Sequence, residues 1–292
     1  MAQNPPDSNP SAPVSQAGYQ GFYINLDRSP ERNEAMQRQL TALSLAERYK
    51  RFAAIDGLTI GAPRMPILPG EYGCFLSHAN ALKLANQESC VHVLEDDALL
   101  SPFVAPVIDS LAAKGYFDQY DIIFTDIAVQ RHLAQIRFFR QLFDKFVSER
   151  LFSVVDLSRI QFGCNTSYIV GGKSIGKLQE LYAREIAATP GGAVDIFIRN
   201  NVNNGVLRAA VTIPFLTSVR MDSHIDHSTI TGRPIDRVSQ IANVLNRQSF
   251  FVNRDLAEMA RLLSTLSNRP VTSADVLDRL AEFVTSQDRQ DY

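Results

Sequence analysis

Three consecutive carboxylates, Glu95, Asp96 and Asp97, are the part of this chain best equipped for chemistry. They follow directly on Val91-His92-Val93-Leu94, a short apolar run that reads as a buried strand of a parallel sheet. In open α/β sheets ligands gather at the carboxyl ends of strands, so these acids stand where a ligand would bind. Adjacent carboxylates repel one another unless a cation or hydrogen-bond donors compensate them. A hard divalent ion with oxygen ligands would do so, and a diphosphate would complete its shell. The plain alternative is a strand that runs out into a solvated acidic loop.

The elements before the acids have the pattern of repeated strand–helix units. Gly21–Leu26 reads as a strand, and Asp27-Arg28-Ser29-Pro30 as a loop leading into a helix. Pro30 suits the first helical turn, Ser29 can cap it, and Met36, Leu40 and Leu43 recur at helical spacing. Asn25, Arg28 and Arg32 would suit a ribose, a base edge or a phosphate, or they are ordinary capping and surface residues. Arg51–Gly57 reads as a second strand closed by the Asp56-Gly57 turn, and the prolines at 63, 66 and 69 mark a loop. Gly70 opens a helix through about Asn86, with Cys74, His78, Leu82 and Ala85 on one face. His78 is then a packed, hydrogen-bonded histidine or a ligand contact.

Four segments in order, Tyr23–Arg32, Ala54–Gly57, Gly70–His78 and Leu94–Ala98, resemble the successive motifs of glycosyltransferase family 25. The resemblance is clear over roughly residues 20–100 and weaker beyond. It implies a GT-A-like, Rossmann-type mixed α/β sheet flanked by helices, a nucleotide-sugar donor of the UDP-hexose kind, and Mn²⁺ or Mg²⁺. By position in those motifs, Asn25, Leu26, Arg28, Arg32, Asp56, Gly57, Ser77, His78, Glu95 and Asp96 would line the donor. Asp97 would be the metal-facing acid, with Glu95 in the place of the first Asp of an Asp-X-Asp. Asp195, just after Pro190-Gly191-Gly192, would be the general base on the acceptor hydroxyl. An acid in a helix's first turn also has a purely electrostatic explanation, and the helix terminus would weaken it as a base. His224 and His227 fall in the late region from which many such enzymes draw a metal ligand, though they also suit an ordinary polar loop.

The remaining segments read as supports. Phe103–Phe117 is expected to be a helix ended by Gly115, and Tyr120–Thr125 a strand, with Asp126 a cap or turn residue. Residues 136–152 carry an apolar stripe of Ile136, Phe139, Leu142, Phe143, Phe146 and Val147 beside Arg137, Arg140, Lys145 and Arg150. Such a helix either packs on the core or lies on an anionic membrane, where a lipid-linked glycan acceptor would be met. Phe162–Val170 reads as a strand, Gly172–Ala183 as a helix, and Ala209–Pro214 as the last strand. The expected organisation is a disordered leader over 1–18, a transferase domain over 19–232 and a helical C-terminal appendage over 233–292.

Composition narrows the function. The 292 residues are 45% hydrophobic and carry a formal net charge of -2, so no basic field advertises nucleic acid. Cys74, Cys90 and Cys164 form no CxxC pair and suit a reducing compartment. No apolar stretch approaches the roughly 20 residues of a membrane span, and no signal peptide is evident. The expectation is a cytoplasmic hexosyltransferase, peripheral at most to the inner membrane face, acting on a saccharide or lipid-linked glycan of the lipopolysaccharide kind. The rivals are a non-catalytic binding or scaffold protein of the same fold and a metal-dependent nucleotidyltransferase or phosphohydrolase. The absence of GxxxxGK[ST] disfavours a P-loop enzyme.

Overall fold

The computed structural model describes residues 18–60, 67–129, 133–220, 237–267 and 269–287. The expected leader as far as residue 17, His224, His227 and the end of the expected domain at 228–232 lie outside the described residues. In chain order β1 (Gln20–Asn25), α1 (Pro30–Ala42), β2 (Tyr49–Ala53), α2 (Gly57–Ile60), α3 (Pro69–Lys83), β3 (Val91–Glu95) and β4 (Ala98–Leu100) come first. They are followed by α4 (Val104–Ala113), α5 (Tyr116–Gln119), β5 (Ile122–Phe124), β6 (Ala128–Val129), α6 (Leu133–Glu149), β7 (Ser153–Asp156) and β8 (Phe162–Gly163). The rest is β9 (Ser167–Val170), α7 (Gly172–Ala188), α8 (Val194–Asn203), β10 (Ala209–Ile213), β11 (Thr217–Val219), α9 (Arg237–Ser249), α10 (Leu256–Ser267) and α11 (Val276–Gln287).

Seven strands form a mixed sheet in the order β2-β1-β3-β9-β5-β10-β7. β1 runs parallel to β2 and β3, whereas β9 lies antiparallel between β3 and β5. That reversal places the start of β9 at the same sheet edge as the ends of β1, β3, β5 and β10. Residues 163–166, which precede β9, are thereby delivered to the end of β3. Both faces of the sheet are covered, as successive side chains show. Phe22, Ile24, Val91, Val93, Ile122, Phe124, Tyr168 and Val170 enter one apolar cluster; Tyr23, Leu94, Ile123 and Ile169 enter the other.

The sequence expectations need four corrections. Pro30 opens α1 as expected, but Ser29 makes no side-chain cap; its carbonyl instead accepts a bond from Asn25 Nδ2 at 3.0 Å. The helix expected over 103–117 does end at Gly115, whose φ of 71° lies in the left-handed region that glycine enters without penalty, but residues 116 and 117 belong to the separate short helix α5. Asp126 is neither a cap nor an exposed turn residue; it is fully buried against Arg247. The stripe of α6 is not free for a membrane: Ile136, Phe139, Phe143 and Phe146 are buried, and Phe139 packs on Phe215 and Phe250.

What covers α6 is the C-terminal part of the chain. Leu245, Met259, Leu263, Val276 and Leu280 belong to the same apolar cluster as the sheet. Arg140 pairs with Asp278 at 2.5 Å, and the Arg254 guanidinium sits 3.9 Å from the Phe143 ring centroid. No helix among the described residues is long and apolar enough to cross a membrane.

Candidate active site

Glu95 and Asp96 point in different directions from the turn between β3 and β4. Glu95 faces α3. Its carboxylate accepts from His78 Nε2 at 3.2 Å and from the Cys74 thiol at 3.8 Å. Cys74 and His78 are four residues apart and so share one helix face. On its other edge the His78 ring meets the Tyr168 hydroxyl, 3.0 Å from Nδ1. Burial alone would raise the Glu95 pKa, but His78, the charge of Arg247 and the Cys74 thiol bring it below the usual range. Ser77 is fully buried, accepts from the Ile55 N–H at 2.8 Å and donates to the Gly73 carbonyl. It ties the exit of β2 to α3 and does not reach a donor, contrary to expectation. Gly57 likewise serves packing: a Cβ there would come within 1.6 Å of the Pro69 carbonyl oxygen.

Asp96 turns the other way, toward the end of β1. It accepts from Asn25 Nδ2 at 2.7 Å and from Arg32 at 3.1 Å. Burial raises its pKa despite both partners, and the nearby Glu95 charge adds to the rise. Asn25 is 1% exposed and both its N–H donors are used, on Asp96 and the Ser29 carbonyl. Its Oδ1 accepts from Arg51 Nε at 2.9 Å, so Asn25 joins β1, β2 and β3 and offers no free donor to a ligand. Leu26 continues β1 into this edge, and Arg28 pairs with Asp56. Arg28 and Arg32 keep 54% and 40% of their side-chain surface open, so their guanidinium groups remain accessible beside the acids.

A third group comes from segments far along the chain. Asp126, at the end of β5, receives a two-pronged bond from Arg247 of α9, with Nε 3.1 Å from each carboxylate oxygen. Burial raises the Asp126 pKa against this partner. The Arg247 guanidinium, opposed by burial but held by Asp126, is kept firmly charged, and the Asp97 charge adds to this. Asp195, in the first turn of α8, accepts from the Cys164 N–H at 3.1 Å. Cys164 adopts a φ of 68°, uncommon for a residue with a side chain, and this aims its N–H at Asp195. Burial drives the Cys74 thiol pKa well up, and the charges of Glu95, Asp195 and Asp97 push it further. One thiol therefore senses three carboxylates that are up to 100 residues apart in sequence.

The family profile described as glycosyltransferase family 25 (LPS biosynthesis protein) matches residues 19–198, which include every residue just described except Arg247 of α9.

The chain belongs to glycosyltransferase family 25.

A protein of Aedes aegypti named "Glycosyltransferase 25 family member" is 32% identical over 135 residues, covering 37% of this chain and 22% of the relative. One of the same name from Drosophila melanogaster is 32% identical over 124 residues, covering 35% of this chain and 20% of the relative. The matched part thus spans about a fifth of the length of these curated relatives.

A hard cation such as Mn²⁺ or Mg²⁺ would need oxygen donors, which Asp97, and Glu95 where α3 does not hold it, could offer. The acids fit such an ion unequally, because Glu95 already sits among a ring nitrogen and a sulfur. Sequence reasoning missed Arg247, Cys74, Tyr168 and Asn165. Asn165 is 4% exposed, and neither amide atom has a hydrogen-bond partner among the described residues. It lies between Cys164, which holds Asp195, and Thr166, whose carbonyl accepts from the Glu95 N–H at 2.8 Å. Nothing local in the sequence marks Arg247. Cys74 was recognisable, because it shares the helix face of His78.

Proposed function

We propose that this chain is a metal-dependent inverting glycosyltransferase that moves a hexose, galactose or glucose, from a UDP-sugar to a saccharide acceptor. The observation that carries this reading, in a chain of family 25, is that residues 164–166 hold Asp195 through the Cys164 N–H and the end of β3 through the Thr166 carbonyl. Asp195 takes the proton of the acceptor hydroxyl, whose oxygen forms a bond to the anomeric carbon. The bond from that carbon to the diphosphate oxygen breaks, and the diphosphate leaves with the electron pair. Attack from the face opposite the leaving group inverts the centre. Arg28 and Arg32 offer charge-assisted hydrogen bonds to the nucleotide. A divalent cation on Asp97, with Glu95 or residues beyond those described, would supply neutralisation of the departing diphosphate.

The family description supports an acceptor of the lipopolysaccharide kind, and three free cysteines support a reducing, cytoplasmic setting. A second reading, sugar-nucleotide binding without turnover, has one observation in its favour: side chains of the fold itself engage both Glu95 and Asp96.

Thermal-shift and product analysis with UDP-galactose and UDP-glucose, with and without Mn²⁺, tests both readings. A transferase predicts a raised melting temperature and, with water as the nucleophile in place of an acceptor, slow release of UDP and free hexose; with a saccharide acceptor it predicts UDP and a glycoside, whose formation Asp195→Asn should abolish. A shift without any release favours the binding reading. Release of UMP and sugar phosphate would point to phosphohydrolase chemistry, and no shift with any sugar nucleotide would overturn the proposal.

A further inference from the structure

The helix face of α3 that meets the end of β3 presents three different donor atoms to one point. Cys74 Sγ, His78 Nε2 and a Glu95 carboxylate oxygen all lie within 4.8 Å of one another. Two of the separations are 3.2 Å, nitrogen to oxygen, and 3.8 Å, sulfur to oxygen. A tetrahedral zinc ion, with bonds of about 2.0 Å to nitrogen and oxygen and about 2.3 Å to sulfur, spaces its ligands by roughly 3.3–3.7 Å. Two of the three separations are thus near the edge length of such a tetrahedron, and the third, from Cys74 Sγ to His78 Nε2, lies within 4.8 Å.

The surroundings of the histidine fit as well. A metal-binding imidazole commonly uses its second nitrogen on an outer hydrogen-bond partner, which fixes the ring. His78 has that partner in Tyr168, with Oη 3.0 Å from Nδ1, and an ion on Nε2 would leave Nδ1 protonated to donate to that oxygen. Glu95 keeps 29% of its side-chain surface open, which provides a way in from solvent. Three protein ligands leave the fourth position to solvent, the pattern of an open zinc site.

We propose that Cys74, His78 and Glu95 form a binding site for a soft divalent cation of the zinc class, separate in donor chemistry from the oxygen-ligated ion expected on Asp97. Sulfur and imidazole select zinc over manganese and magnesium, while a carboxylate next to a diphosphate selects the harder ions. The bound ion takes the place of the thiol proton, which is released to solvent, and cross-links α3 to the end of β3. In doing so it keeps Glu95 on the α3 side of the cleft. The site stands whether or not the chain transfers sugar, because it is read by metal binding alone.

The test uses the full chain, stripped of metal and kept reduced, and titrated with Co²⁺ as a spectroscopic stand-in for zinc. One equivalent should produce the visible bands of tetrahedral cobalt together with a near-ultraviolet thiolate-to-cobalt charge-transfer band, both abolished by one equivalent of zinc. Cys74→Ser should remove the charge-transfer band and weaken binding by about 10²-fold, at the upper end of what loss of ligand support costs a metal site. Cys164→Ser should leave the band in place, and His224→Ala with His227→Ala should do the same. If Cys74→Ser does not fold, alkylation of the unmodified chain decides: zinc should protect Cys74, mapped by mass spectrometry, and Mg²⁺ should not. No charge-transfer band at excess cobalt, a band that survives Cys74→Ser, or equal alkylation of Cys74 with and without zinc would each overturn the site.

Discussion

His78 and His92 are each fully buried and both stand beside β9, yet their rings meet different partners. His92, in the middle of β3, is 2.6 Å from the Tyr49 hydroxyl and 2.9 Å from Ser167 Oγ. No charge compensates it, and burial lowers its pKa to about 3. His78 points its Nε2 at a carboxylate that itself reaches the cleft. The first ring is a neutral strut between strands. The second is part of a polar chain running from Tyr168 through the ring to Glu95 at the candidate site. Burial, then, does not tell the two rings apart; the charge and accessibility of the partner do.

Acid should break this comparison most strongly. An unfolded histidine binds its proton near pH 6.5, whereas His92 in the fold does so only near pH 3. Between these values the unfolded chain holds more protons, so stability is complete above about pH 6.5 and falls as the pH drops toward 3. The loss amounts to as much as about 5 kcal/mol. Urea unfolding across this range should show the slope, and His92→Gln should remove His92's share of it.

The next effect concerns the ion pair below the site. Asp126→Ala leaves Arg247 charged and buried without its carboxylate, and should cost about 3–5 kcal/mol. Replacing both partners by apolar residues of similar volume should recover much of this in the same unfolding assay. A small loss in Asp126→Ala would mean that Arg247 finds another anion among the acids of the cleft.

Third, Asp97→Asn should lower turnover by about 10²-fold, the cost of removing one strong electrostatic stabiliser, with the melting temperature nearly unchanged. Steady-state kinetics on the purified variant checks this. Retained turnover would move the metal role away from Asp97. The smallest effect is expected at the strut: Tyr49→Phe leaves a buried ring nitrogen of His92 without its partner and should cost about 1–2 kcal/mol in thermal unfolding, with no change in donor binding.

Much of the layout was legible because local signals carried it. Pro30 at the first turn of α1, the turn signal Asp56-Gly57 after β2, and the apolar run before Glu95 each depend on neighbours a few residues away. The roles of the polar residues were less legible. Asn25 reads as a ligand contact until β2 supplies Arg51 and the β3 turn supplies Asp96 to occupy it. Ser77 reads the same way until Ile55 is placed beside it. For α6, the apolar stripe is visible in the sequence, but what covers it is not; α9–α11 decide that, from more than 90 residues downstream.

The amino-acid order alone determined the succession of β1, α1, β2, α3 and β3, the acidic end of β3 and the helix face shared by Cys74 and His78. These rest on periodicity and turn chemistry, which act within about two turns of helix or one strand. That order did not show β4, β6, β7 or β11, nor the split of 162–170 into β8 and β9. Only the tertiary structure decided that β9 runs antiparallel, that Asp195 is held by the Cys164 N–H, and that Arg247 is locked to Asp126 across 121 residues. The reason is physical: a buried charge must find its counter-charge wherever packing places one, and no local pattern records the address.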